Sequence, residues 1–219
     1  MKNIILQHYT GILGTLQKLS ITNIRSYAER IGADYRFLEG QVFDSRFSSP
    51  CQKMIMLDAC WDEYDMVVMM DTDMFAVNGL QESVFTSAKG TGLFTPYTEK
   101  IFSKCRRMHP TLCDPRYAYW GGCLWRLPRE LRTKFRQHID IEELKAFSSN
   151  FEDEGIMHRL AVKTKTPQDA LPHEWSYCSY LPEPGLSKIV HIRDKTCEGG
   201  PRLGKLANYH MLNMAGVLT

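Results

Sequence analysis

Apolar residues in the first forty positions of the chain alternate between short runs and stretches of helical spacing. Asn3–Gln7 and Asp34–Leu38 are predicted strands, because each is a short, largely apolar segment followed closely by polar residues and glycine. Between them, the apolar positions of Leu16–Ile31 recur with the period of a helix. Gly32 predicts the end of that helix, since glycine readily adopts the left-handed conformation found there.

A second helix and a fully apolar strand follow. Ser48-Ser49-Pro50 predicts a helix with a hydroxyl cap and a proline in its first turn, continuing to Trp61. Asp65–Asp71 is an apolar run bounded by acids, which is typical of a central strand covered on both faces. This alternation predicts an α/β fold with a mostly parallel central sheet flanked by helices. Ligands of such sheets bind beyond the carboxyl ends of the strands.

The pattern in the second half of the chain is less regular. Pro96–Pro115 is predicted to be a long loop, and its basic cluster Lys104–Arg107 is expected to be solvated or, less favourably, part of a lid. The other predicted elements are a strand over Tyr117–Leu127, a helix opened by Pro128, a helix over Glu152–Val162, a strand over Lys188–Arg193 and a closing helix over Leu203–Val217. No repeat or linker interrupts them, so the 219 residues are expected to form one domain.

Composition and charge exclude several classes of protein. The chain is 43% hydrophobic, which is enough to close a core without disulfides or structural metals. A net charge of only +2 argues against a nucleic-acid partner. The seven cysteines include no Cys-x-x-Cys pair, so we expect mostly reduced, buried thiols. Neither a membrane span nor a signal peptide is recognisable, which predicts a soluble, cytoplasmic protein.

The strongest functional signal is the acidic pair Asp71-Thr72-Asp73 at the end of the apolar strand. Two carboxylates cannot lie inside a buried strand, so the chain must emerge from the sheet where they occur. In a parallel sheet that point is the edge at which ligands bind. Two acids there can share one divalent cation that neutralises phosphate oxygens. A solvated turn is the alternative interpretation.

The segment Tyr64–Val77 resembles the Asp-x-Asp segment of nucleotide-sugar glycosyltransferases with the GT-A fold. In that family the strand reads as tyrosine and aspartate, several aliphatic residues, and then the metal-binding Asp-x-Asp. The resemblance extends over most of the chain and is greatest to the retaining galactosyl- and glucosyltransferases. It implies a single GT-A domain over residues 1–219, with a nucleotide-binding part at about 1–100 and an acceptor-side part at about 101–219.

The same resemblance implies roles for individual residues. The residues implied to bind the nucleotide-sugar are His8, Tyr9, Thr10, Lys53, Asp71, Thr72 and Lys195. Trp120–Leu124, with its two glycines, resembles the strand that flanks the sugar pocket. Glu152–Met157 resembles the acidic helix start of retaining members, which makes Asp153 and Glu154 the candidate catalytic carboxylates. Glu154 and Gly155 depart from the family pattern of glutamine and a second aspartate. Acids at a helix start are also common as partners of the helix dipole.

A third metal ligand is implied near the end of the chain. His191 resembles the late histidine of the family, which gives the ligand set Asp71, Asp73 and His191. Two carboxylates and one imidazole suit Mn²⁺ better than Mg²⁺, although Mg²⁺ also fits the carboxylates. Lys195 would then neutralise the β-phosphate as the sugar leaves, or is simply a surface lysine. Arg193 is expected to face the other side of the strand.

The predicted function is metal-dependent transfer of a hexose or deoxyhexose from a UDP-sugar to a hydroxyl of a glycan or glycoprotein acceptor, with retention. At most one of Trp120, Trp125 and Trp175 is expected to stack on a sugar. One alternative is a haloacid-dehalogenase-type phosphatase with Asp71 as nucleophile, and another is a non-catalytic nucleotide-sugar-binding module. The chain is small for a whole glycosyltransferase, which predicts further domains in a longer polypeptide.

Overall fold

The computed structural model describes residues 1–147, 150–178, 187–194 and 202–218. The strands are β1 (Asn3–Tyr9), β2 (Asp34–Glu39), β3 (Met66–Met70), β4 (Met74–Ala76), β5 (Gly92–Leu93), β6 (Gly121–Pro128), β7 (Ala170–Leu171), β8 (Tyr177–Cys178) and β9 (Ile189–His191). The helices are α1 (Thr15–Arg30), α2 (Pro96–Met108), α3 (Arg129–Arg136), α4 (Ile141–Leu144), α5 (Glu152–Thr164) and α6 (Lys205–Met214). Short 3₁₀ helices lie at Pro50–Leu57, Ala59–Trp61, Lys145–Phe147 and His173–Trp175.

A six-stranded central sheet has the order β2-β1-β3-β6-β5-β7. Of the five strand pairings described in it, three are parallel, which confirms the mostly parallel sheet expected from the sequence. Strand β1 lies between β2 and β3, parallel to both, and its Gln7 pairs with Met70. The carboxyl ends of β1 and β3 therefore lie side by side. Gly32 has a φ of 67° after α1, as its predicted helix-stop role requires.

Strand β6 runs antiparallel to β3, so its beginning lies beside the end of β3. Met70 pairs with Leu124, and Met66 pairs with Pro128. This register places Gly121 and Gly122, the first residues of β6, at the edge of the sheet where β3 ends and the acidic pair begins. Asp71 and Gly121 are about fifty residues apart in the sequence, and the pairing of β3 with β6 brings them close together in space.

A second, three-stranded sheet has the order β4-β9-β8. Strand β4 begins immediately after the acidic pair, and its Met74 pairs with His191 in antiparallel β9. The backbone N–H of Ile192 donates to the carbonyl of Asp73 at 2.8 Å, which extends the pairing by one residue. This small sheet is the reason that His191 lies beside Asp73.

The alternation of side chains in the central strands divides the core between the two faces of the large sheet. Val67 and Met69 of β3 pack in one buried cluster with Trp125, while Val68 and Met70 pack in the other with Leu124. Both faces are thus covered, as the continuous apolar run of β3 predicts.

Two local predictions are wrong. Pro96–Pro115 is not a loop, because α2 occupies Pro96–Met108. The Thr95 hydroxyl caps this helix by accepting the N–H of Thr98 at 3.2 Å, and its buried face is narrow and includes Phe102 and Cys105. The other face carries many polar residues, including exposed Lys104, Arg106 and Arg107, and they hide this periodicity in the sequence.

The segment after Ser49 also differs from the expectation. It forms a 3₁₀ helix rather than an α-helix, and the Ser49 side chain makes no capping hydrogen bond. The helix stops at Asp58, which is extended and whose carboxylate accepts the N–H of Cys60 at 2.8 Å to start a separate turn. A continuous helix to Trp61 is therefore excluded.

Four cysteines, Cys51, Cys105, Cys113 and Cys123, are free and buried, and Cys60 is free and exposed. The expectation of mostly buried, unpaired thiols is therefore confirmed for four of these five, and Cys60 is the exception. Among the helices in the described ranges, none is long and apolar enough to cross a membrane.

Candidate active site

Asp71 lies where β3 leaves the sheet, and its backbone is held from both sides. Its N–H donates to the carbonyl of Cys123 at 2.9 Å, and its carbonyl accepts from Gln7 Nε2 at 3.0 Å. Gln7 itself is buried and also donates to the Ser20 hydroxyl at 3.0 Å. The carboxylate of Asp71 thus projects from a backbone turn fixed between β1 and β6, with about 30% of its side chain exposed.

Asp73 lies two residues further on and is buried. Its Oδ1 lies 3.1 Å from His191 Nε2, and its Oδ2 forms an ion pair with Lys205 Nζ at the start of α6. One ligand atom from each of Asp71, Asp73 and His191 lies within 4.8 Å of the others. The three residues chosen from the sequence as metal ligands are therefore gathered in one place.

The electrostatics of this group reflect its cations. Burial acts to raise the pKa of Asp73, but His191 and Lys205 outweigh it and hold that pKa well below its usual range. Burial opposes the charged form of His191, yet the Asp73 carboxylate dominates and raises the pKa of this imidazole. Asp73 is ionised at neutral pH, and His191 must release a proton before it can bind a metal.

The donor set fits a divalent cation. Asp73 Oδ1 is buried, and its close polar neighbour among the described residues is His191 Nε2, at ion-pair distance. This oxygen, a second carboxylate and an imidazole lie close together, and divalent transition metals bind such a combination of ligands. Asp71, Asp73 and His191 would hold such an ion.

Lys53 links the acidic pair to the start of α5. Its ammonium lies 2.8 Å from Asp71 Oδ1, 2.5 Å from Asp153 Oδ2 and 2.6 Å from the Gly122 carbonyl. Burial disfavours the charged ammonium, but Asp153 and Asp71 more than compensate and raise the pKa of Lys53. The ring of Trp125 lies 5.1 Å away and covers the ammonium from the core side.

Asp153 and Glu154 begin α5 in different surroundings. Burial raises the pKa of Asp153 to about 7, against the opposing effect of Lys53. Burial also raises the pKa of Glu154, although its Oε1 accepts the N–H of Gly122 and its Oε2 the hydroxyl of Tyr119, each at 3.0 Å. Burial is thus the largest influence on both acids, and it raises the pKa of each above that of an exposed carboxyl group.

The backbone before these acids is unusual. Phe151 has a φ of 64° and Glu152 a φ of 26°, although neither is glycine. Non-glycine residues in this region cost free energy and occur most often where function fixes the backbone. Here the left-handed turn places Asp153 and Glu154 beside Gly121 and Gly122 at the beginning of β6.

The predicted uridine residues lie at the end of β1. His8 Nε2 donates to the Gly40 carbonyl at 2.7 Å, and the Thr10 hydroxyl donates to the same carbonyl at 3.3 Å. Burial lowers the pKa of His8, so its imidazole is neutral at neutral pH. Tyr9 lies between them and is half-buried.

A cavity of about 730 Å³ joins these groups. The predicted site residues that line it are His8, Tyr9, Lys53, Asp71, Thr72, Asp73, Asp153, Glu154 and His191. Thr10 does not line this cavity, and Lys195 lies outside the described residues. Lys205 and Arg193 also line it, and sequence reasoning chose neither as a site residue.

Two expectations about neighbouring side chains are resolved. Arg193 does not face away from His191, because its Nη1 lies 3.5 Å from His191 Nε2. Residues two apart share a face of an extended strand, so this orientation follows from the strand period itself. Trp120, Trp125 and Trp175 are all fully buried core residues, which agrees with the expectation that at most one of them would stack on a sugar.

The sequence matches no protein-family model and no curated protein. In fold, the chain is similar to the crystal structure of a glycosyltransferase involved in glycosylation of the major capsid of PBCV-1, at 10% identity and a TM-score of 0.56 over 98% of this chain and 100% of that one. It is also similar to the galactosyltransferase LgtC in complex with donor and acceptor sugar analogs, at 11% identity and a TM-score of 0.57 over 99% and 96%. The chain therefore has the GT-A fold of these glycosyltransferases.

Proposed function

We propose that this protein is a metal-dependent glycosyltransferase that moves a hexose or deoxyhexose from a UDP-sugar to a hydroxyl group of a glycan or glycoprotein. The observation that carries the proposal is the convergence of Asp71, Asp73 and His191 at the end of a buried strand, within one cavity. Carboxylates and an imidazole beside a cavity wide enough for a nucleotide-sugar are the parts that this chemistry requires.

Mn²⁺ is the proposed metal, since the set contains one imidazole nitrogen, whereas Mg²⁺ prefers oxygen ligands alone. When bound, the cation would neutralise charge on the diphosphate leaving group. Lys195 is proposed as a further phosphate ligand on the strength of the family resemblance. His8, Tyr9 and Thr10 are proposed to seat the uridine at the end of β1.

The roles proposed for the two acids of α5 follow from their contacts. The Gly122 N–H and the Tyr119 hydroxyl fix both oxygens of Glu154, so this carboxyl can present charge to a sugar without moving. Asp153 shares Lys53 with Asp71, which lets it respond to charge at the diphosphate side of the cavity. Together they would stabilise positive charge at the anomeric carbon, and we propose transfer with retention of configuration.

We also propose that the domain has a nucleotide-binding part and an acceptor-side part, assigned from the site residues that each part carries. Residues 1–100 carry β1, β3 and the acidic pair, and would bind the nucleotide. Residues 101–219 carry Asp153, Glu154 and His191, and would complete the metal site and form the acceptor side.

Calorimetry with UDP tests the metal-bridge proposal. We expect UDP to bind at least about tenfold more tightly in the presence of Mn²⁺, which corresponds to roughly 1.4 kcal/mol. Asp73→Asn should remove this enhancement, whereas Asp58→Asn, a matched change at an exposed acid, should leave it intact. Equal UDP affinity with and without Mn²⁺ in the unaltered protein would contradict the proposal.

A thermal-shift panel then tests the donor. A bound donor raises the melting temperature in proportion to the logarithm of its saturation, so UDP-hexoses and UDP-deoxyhexoses should exceed GDP-sugars in the presence of Mn²⁺. Stabilisation by GDP-sugars alone would overturn the uridine assignment. Binding of UDP-sugars with neither hydrolysis nor transfer would favour the non-catalytic module, and nothing in the fold favours the phosphatase.

A further inference from the structure

Two cysteines face each other behind the candidate site. Cys105 lies in the last turn of α2 and Cys113 lies in the segment that follows, with their sulfurs 3.5 Å apart. Cys105 is fully buried, and Cys113 has 8% of its surface exposed. The backbone holds the pair together, because the N–H of His109 donates to the Cys105 carbonyl at 2.8 Å and that of Cys113 to the His109 carbonyl at 3.1 Å.

Two imidazoles flank Cys113. His109 Nε2 is buried and has no hydrogen-bond partner. His158 on α5 lies beside the same thiol, with its Nδ1 donating to the Ala118 carbonyl at 2.7 Å and its Nε2 accepting the N–H of Asp114 at 3.2 Å. The hydrogen bond from the Cys105 thiol lowers the pKa of Cys113 against the effect of burial, with a further contribution from His158.

We propose that Cys105 and Cys113 form a reversible dithiol–disulfide site that is oxidised by low-molecular-weight disulfides such as oxidised glutathione. Cys113 is the attacking thiol, since it is the more exposed of the two and lies between the imidazoles. Cys105 is the resolving thiol, since it is buried and already in contact with the Cys113 sulfur. This inference does not rest on the proposed transferase function.

The exchange balances in two steps. The Cys113 thiolate attacks one sulfur of the oxidised glutathione, forming a mixed disulfide and releasing one glutathione thiolate. Cys105 then loses its proton and attacks the Cys113 sulfur, which forms the protein disulfide and releases the second glutathione. The two protein thiols are oxidised by two electrons in total, and one disulfide of glutathione is reduced to two thiols.

The site adjoins the wall of the candidate active site. Phe102, one turn before Cys105, packs against Tyr119 and His158, with ring centroids 4.8 Å apart in each case. The Tyr119 hydroxyl is the donor to Glu154. Oxidation would therefore cross-link α2 to the segment that follows it, close to the aromatic residues that contact Tyr119 and, through it, Glu154.

Peptide mapping of the folded, full-length chain tests the proposal. The protein is exposed to oxidised glutathione, its free thiols are trapped, and trypsin should then release residues 105–106 disulfide-linked to residues 108–116. Treatment of the oxidised protein with excess reduced glutathione before the trapping step should abolish this species. Exposed Cys60 serves as the internal control, and we expect it to acquire only glutathione. Absence of the Cys105–Cys113 linkage, while Cys60 is modified, would overturn the proposal.

Single variants test the two roles. Cys105→Ser should retain glutathione on residue 113, because the resolving thiol is missing, whereas Cys113→Ser should leave Cys105 unmodified over the same time. Equal glutathione incorporation in the two variants would contradict the assignment of attacking and resolving thiols. The mapping of the unaltered protein remains decisive if either variant fails to fold.

Discussion

The Lys53 ammonium lies 2.5 Å from Asp153 Oδ2, and this buried ion pair joins the two acidic parts of the candidate site. Both side chains are about 10% exposed or less. The same ammonium contacts Asp71, so one cation balances an acid at the end of β3 and an acid at the start of α5. Lys53 is therefore a positioning residue, and its loss should disturb the positions of both the Asp71 and the Asp153 carboxylates.

Lys53→Met should destabilise the protein by about 3 kcal/mol, because it leaves the buried Asp153 without its cation. Adding Asp153→Asn should recover part of this loss, since the unpaired carboxylate is then absent. Urea unfolding of the two variants measures the effect. If Asp153→Asn makes the Lys53→Met protein less stable by its full single-variant cost, the two side chains are not coupled.

Asp153 should also make the metal-free protein less stable as the pH rises. Its pKa is raised from 3.8 to about 7 in the folded state, so between these values the folded protein holds a proton that the unfolded chain releases. The contribution is therefore fully present below about pH 4 and is lost as the pH rises through about 7, on the order of 4 kcal/mol. The difference in unfolding free energy between the unaltered protein and Asp153→Asn should fall across this range. A difference that is constant or rises with pH would contradict the assigned shift.

Lys205 forms an ion pair with the Asp73 carboxylate, and it should compete with a metal for that group. Lys205→Met should therefore tighten Mn²⁺ binding in the absence of nucleotide. The Lys205 side chain is 41% exposed, so the effect should be modest, about two- to fivefold in affinity. Calorimetric titration with Mn²⁺ measures it, and Lys100→Met, at an exposed position on α2, is the control. Unchanged or weaker Mn²⁺ binding in the Lys205 variant would exclude competition.

Sequence periodicity and chemistry predicted the parts of this fold that depend on local pattern. The apolar run before Asp71 identifies β3, and βαβ alternation identifies the sheet edge on which that acid lies. The contact between Lys205 and Asp73 was not predictable, because 132 residues separate them and a lysine at a helix start carries no signal of its partner. Arg193 could have been predicted, since the period of a strand places it on the same face as His191.

Gly121 and Gly122 are neighbours at the beginning of β6, but they differ in how closely Asp153 approaches them. A Cβ on Gly122 would lie 2.6 Å from Asp153 Oδ2, whereas a Cβ on Gly121 would meet no atom nearer than 3.6 Å outside its own neighbours. Gly122→Ala must therefore displace a carboxylate already held by Lys53, and should cost about 1–3 kcal/mol of stability.

Gly121→Ala is the matched control, and it should be neutral or stabilising by up to about 1 kcal/mol, because it reduces the entropy of the unfolded chain. Urea unfolding of both variants separates the two effects. Since the Lys53 ammonium also bonds to the Gly122 carbonyl, the Gly122 variant should additionally flatten the pH dependence attributed to Asp153. Equal stability of the two alanine variants would show that Asp153 does not need the open space above Gly122.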